Sequence, residues 1–114
     1  MNKRELKRRH LLYYLDIIDK ETGKTIGKLG DITEKGLLIL SEANQEVNKI
    51  LDIKIKLPDN DLFDGEYISL QILTLWSEPD KNPDIIGTGC KIISISDDEL
   101  FKIKKLITYL GFDD

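Results

Sequence analysis

The chain has 114 residues, 40% hydrophobic and 33% charged, with a formal net charge of −4. This composition predicts one domain around one modest core. No apolar run approaches the roughly eighteen residues of a membrane helix, so membrane insertion is not expected. The charged start lacks a following apolar stretch, which argues against a secretory leader. The single cysteine, Cys90, has no internal disulfide partner. A reducing, cytoplasmic location is the expectation.

The charge is unevenly spread. Residues 1–10 form a basic arm, Lys3-Arg4-Glu5-Leu6-Lys7-Arg8-Arg9-His10, holding five Lys/Arg and one Glu. The remaining residues, 11–114, hold twelve Lys/Arg against twenty Asp/Glu. An acidic body would repel a duplex, so broad nucleic-acid binding is not expected. The arm fits a local anion site, although taken alone a solvated tail is the favoured reading.

Leu11 to Ile18 is rich in strand formers. Asp19 to Lys24 reads as a hairpin turn, with Gly23 free to take positive φ. Thr25 to Gly30 returns as a second strand. Asp31-Ile32-Thr33-Glu34-Lys35-Gly36 reads as a polar corner, and Leu37 to Leu40 as a third strand. Ser41 to Lys49 is expected to be a loop containing a helical turn. Leu51, Ile53, Ile55 and Leu57 alternate with polar residues, which gives a strand with one buried face. Asp61 to Gly65 reads as a surface turn. Tyr67 to Trp76 and Ile85 to Ile95 are the fifth and sixth strands, separated by a loop from Pro79 to Asp84.

The period then changes. Leu100, Ile103, Leu106, Ile107 and Leu110 share one helical face, placing a helix at about 97–110. Ser96 and Glu99 have capping-box spacing, Asp97 and Asp98 suit the helix start, and Gly111 suits the residue after its end. Six short strands followed by one helix give an all-β class: a six-stranded antiparallel barrel with a C-terminal helix. The arm at 1–10 would precede this single domain at 11–114.

The chain resembles the PilZ domain family. Those domains carry an Arg-x-x-x-Arg segment before the first strand and an Asp/Asn-x-Ser-x-x-Gly turn between strands two and three. Arg4-Glu5-Leu6-Lys7-Arg8 matches the first. Asp31-Ile32-Thr33-Glu34-Lys35-Gly36 matches the second, with Thr33 in place of serine. The strand order, Trp76 late in the fifth strand, the Gly-x-Gly near the last strand and the final helix extend the likeness over nearly the whole chain.

The resemblance implies binding of the bacterial second messenger cyclic diguanylate (cyclic di-GMP), with no other cofactor. Arg4 and Arg8 would pair with phosphates and stack on guanine, with Arg9 as a supplement. The Asp31 carboxylate would accept from a guanine edge, and the Thr33 hydroxyl would bond a phosphate or base. Gly36 would allow positive φ or a close approach. The arginine register has alternatives: counting from Arg8 or Arg9 puts Leu12 or Tyr13 at the second position. The resemblance further implies relay to an unidentified protein partner in motility, attachment or signalling. Two other readings stay open: a PilZ-like adaptor without nucleotide affinity, and a single-strand nucleic-acid binder, which the acidic body and the 7% aromatic content disfavour. Asp31 and Thr33 also suit a plain turn, since both side chains bond nearby backbone. His10 is expected to be a bystander, Cys90 a buried inert thiol and Trp76 a packing residue. No nucleophile–base–orienter set is present, so catalysis is not expected.

Overall fold

The computed structural model describes residues 15–59, 62–63 and 66–110. Six strands appear: β1 (Asp16–Asp19), β2 (Thr25–Ile32), β3 (Gly36–Ser41), β4 (Ile50–Lys56), β5 (Tyr67–Pro79) and β6 (Ile86–Ser94). One helix, α1 (Asp97–Leu110), follows them. The strands are antiparallel and close into a barrel in the order β1-β2-β3-β6-β5-β4, with β4 returning to β1. No helix among the described residues is long and apolar enough to cross a membrane.

The interior is almost wholly isoleucine and leucine, with isoleucine prominent on the strands. Ile17, Ile39, Ile53, Ile55, Ile68 and Ile72 are all fully buried. Branching at Cβ suits both an extended backbone and a pleated, close-packed interior, which is why one residue type recurs on the inward positions. The alternation read in β4 holds: Ile53, Ile55 and then Leu57 are buried, whereas Asp52 and Lys56 are exposed and Lys54 is half-buried. Ile103, Leu106 and Leu110 of α1 are also buried and join this same core.

The helix seals a gap in the sheet. β5 begins pairing with β4 at Tyr67, but its pairing with β6 reaches only to Gln71. Residues 67–70 therefore have one edge without a strand neighbour. Glu99 accepts the Ser69 backbone N–H at 2.6 Å, and Lys102 donates to the Tyr67 carbonyl at 3.1 Å. The same two side chains pair with each other at 2.9 Å. The hydrogen bond from Glu99 is the main reason the Lys102 ammonium titrates above its ordinary value. At the helix start, Ser96 Oγ accepts the Glu99 N–H at 3.2 Å. The capping box is thus half realised, because Glu99 turns to the sheet edge.

Several expectations need correction. β2 runs on to Ile32, so Asp31 belongs to a strand and the polar corner is only Thr33 to Lys35. The segment between β3 and β4 contains no helical turn. It is pinned by buried Thr74, whose Oγ1 donates to the Glu46 carbonyl at 2.7 Å and accepts the Lys49 N–H at 2.9 Å. Asn48 in that segment takes φ 59°, a left-handed value that asparagine tolerates. The turn before β5 is not wholly superficial either, since Phe63 is 4% exposed and part of the core. Gly23 does adopt positive φ, at 76°. Residues 11–14 of the expected first strand, and Gly111, lie outside the described residues.

Replacing Thr74 by valine leaves the Glu46 carbonyl and the Lys49 N–H, both in partly buried bonds, without that hydroxyl. Urea denaturation should show a loss of about 1–3 kcal/mol. Thr74→Ser, which keeps the oxygen, should lose clearly less.

Candidate functional site on the outer face

One extra residue in β2 creates the site. Lys28 and Leu29 pair with Leu40 and Ile39, yet Asp31 and Ile32 pair with Leu38 and Leu37. Gly30 is left over as a β-bulge, which shifts the alternation by one. Leu29 and Ile32 both point inward, each 1% exposed, while Gly30 and Asp31 fall together on the outside. Gly30 suits the bulge because Leu40 lies over it: an added Cβ would meet Leu40 Cγ at 2.7 Å.

The registers carry Asp31 across the barrel surface in one row. Asp31 pairs with Leu38, Leu38 with Gly89, and Gly89 with Trp76. Three interstrand steps make an arc of roughly 14 Å. The Trp76 indole lies flat on Gly89, where an added Cβ would come within 2.3 Å of the ring. The ring is 45% exposed. The expected packing role is therefore only half the story, since the indole also presents a stacking face to solvent, in line with the Asp31 carboxylate.

The corner at the end of the row is rigid. Thr33 Oγ1 accepts the N–H groups of Lys35 and Gly36, each at 3.2 Å. The Thr33 N–H donates to the Gly36 carbonyl at 2.8 Å. Asp31 Oδ1 accepts the Ile32 N–H at 2.8 Å. Both motif side chains thus form local turn bonds, as their residue types favour. Gly36 does not take positive φ; its need is the close approach, because an added Cβ would lie 2.6 Å from the Cys90 carbonyl oxygen. Asp31, Thr33 and Gly36 are therefore brought together. Arg4, Arg8 and Arg9 lie outside the described residues.

The Leu15 carbonyl accepts the Leu29 N–H at 2.8 Å. β1 is antiparallel to β2, and Leu29, two residues before Asp31, lies beside Leu15, the first described residue. Arg8 is seven residues upstream, a reach of at most roughly 24 Å.

No family model matches this chain, and no curated protein matches it. A solved structure does: the Bacillus subtilis inhibitor of motility, MotI/DgrA, superposes with a TM-score of 0.71 at 13% sequence identity. The fold is PilZ-like. The match covers 88% of this chain and 48% of the Bacillus protein, so the chain spans about half the length of that neighbour. At this identity the likeness speaks for the barrel and its helix, and the site must be argued from its own residues.

Two measurements test this surface. Gly89→Ala should displace the indole, seen as a red shift of tryptophan emission, with Trp76 as the sole emitter. Behind the corner, burial pushes the Cys90 thiol up to about 12 from an ordinary 9.0. The unfolded chain therefore ionises first, and the stability tied to the neutral thiol is lost as pH rises from about 9 through about 12. The urea midpoint should fall across pH 9 to 11, and Cys90→Ala should flatten that part of the fall.

Proposed function

We propose that this barrel is a receptor for cyclic diguanylate that acts in the bacterial cytoplasm and relays occupancy to a protein partner. The observation that supports the reading is the meeting of three features near one end of β2: Leu15, the first described residue, the Asp31 carboxylate and the Thr33–Gly36 corner.

The chemistry is complementary in kind. A cyclic dinucleotide has two phosphates and two planar bases. The arm supplies permanently charged, planar guanidiniums that suit both. Asp31 supplies an acceptor for a base edge. Trp76 supplies a stacking face at the far end of the row. The acidic body would repel the phosphates without the arm, so binding requires the arm to come down onto the barrel. Ordering a segment by ligand is a recognised switch. The Bacillus neighbour is an inhibitor of motility, so partners linked to motility are the first class to test.

Calorimetry should show saturable heat with cyclic diguanylate, lost in Arg8→Ala and in Asp31→Ala. Binding should also change the emission of Trp76 and raise the melting temperature, in stability terms by RT ln(1 + [L]/Kd). Absence of heat in the folded protein overturns the receptor reading and leaves the adaptor without nucleotide affinity. Heat only with single-stranded oligonucleotides overturns both.

A further inference from the structure

Two further bulges open a second surface, on the other side of the corner. Between β5 and β6 the pairing skips Leu75 on one strand and Ile93 on the other. Both side chains face out, 47% and 38% exposed. With Ile95 and Leu100 they floor a shallow groove of about 850 Å³. The groove's other wall is Glu34 and Lys35, the two central residues of the corner. Phe101, one residue beyond Leu100, is 64% exposed and adds apolar surface to the start of α1.

Exposed leucine and isoleucine at adjacent bulges are not required by the barrel, whose inward set is complete without them. Bulges of this sort often mark functional surface. The charges around the floor are also unlike the rest of the body. Lys35 and Lys91 line the groove against one acid among the described lining residues, Glu34, and Lys104, outside the lining, stands 4.0 Å from that acid. Asp97 and Asp98 of the first helical turn are not part of it. A net-positive apolar groove thus sits on a body where acids outnumber bases by twenty to twelve.

We propose that this groove docks an amphipathic helix of a partner protein, apolar along one face and acidic along its flanks. The proposal rests on the reading of the chain as a relay, though not on nucleotide being bound. A helix is favoured over a strand because every strand of the closed barrel already has two neighbours, leaving no full edge for strand addition. A helix face of Leu and Ile would cover Leu75, Ile93 and Leu100, while flanking carboxylates would meet Lys35, Lys91 and Lys104. The corner is the shared wall. Thr33, Glu34, Lys35 and Gly36 all line the groove, and Asp31 on the nucleotide row directly precedes them along the chain, so a ligand that grips the corner also fixes one side of the dock.

The test is fluorescence anisotropy with a fluorescein-labelled synthetic helix bearing a Leu/Ile face and Glu flanks, alongside its counterpart with Lys flanks. The acidic peptide should bind about tenfold or more tightly than the basic one, and Ile93→Ser and Lys91→Glu should each weaken it about tenfold. Both positions are exposed, and unchanged melting curves would confirm that these variants fold. Equal binding of the two peptides, binding that survives both substitutions, or no binding of the acidic peptide overturns the proposal. Sedimentation showing a dimer that Ile93→Ser dissolves also overturns it, since the occupant is then a second copy. Calorimetry with cyclic diguanylate on the same variants separates the two claims. Heat with no peptide binding sinks the groove alone; peptide binding with no heat sinks the messenger alone.

Discussion

The single extra residue at Gly30 is the constraint on which the outer face depends. In an unbroken β2, alternation from inward Leu29 would turn Asp31 into the core, where a carboxylate would need a buried partner. The bulge spares the core that charge and keeps Ile32 inside. It also delivers the carboxylate to the same row as Gly89 and Trp76. A glycine serves here because Leu40 occupies the space a side chain would take. Packing on the outside of the barrel and placement of the acid are therefore one arrangement.

The end of β6, beside the corner, is organised by a different substitution of parts. Where β6 stops, α1 takes over its hydrogen-bonding duties with two side chains, Glu99 and Lys102, against β5. Apolar burial of Ile103, Leu106 and Leu110 holds the helix down, and the polar pair fixes where along β5 it sits. The helix is thereby integral to the barrel, and its start forms one end of the apolar groove. Glu34 reaches toward the same helix at Lys104, an exposed pair that contributes little stability but marks how near the corner comes to α1.

Much of this was legible in the sequence, and the gaps have a common physical cause. The strand count, the closing helix at 97–110 and the β4 alternation follow from periodicity, because burial imposes the period directly. The turn at Gly23 follows from local backbone chemistry. What periodicity missed were the bulges. Each one inserts a residue that breaks the two-fold pattern, so β2 seemed to end at Gly30 and Leu75 and Ile93 looked like ordinary strand residues. Asp31 and Thr33 were identified, but as loop residues for the first. Trp76 was underread because its flat seat on Gly89 is a cross-strand relation over thirteen residues of sequence. Phe63 was missed because a short polar turn hides one core side chain.

The row from Asp31 to Trp76 draws on β2, β3, β6 and β5, so its ends are far apart along the chain, and β3 meets β6 only after some forty-five intervening residues of backbone have been laid down. Assembly of such distant partners is late and slow compared with local hairpins, since the entropy of closing the loop comes before any contact is gained. The β2–β3 hairpin carries Asp31 and the β5–β6 hairpin carries Trp76 on Gly89, but neither carries the whole row. The two halves become one continuous surface only at the moment β6 docks on β3.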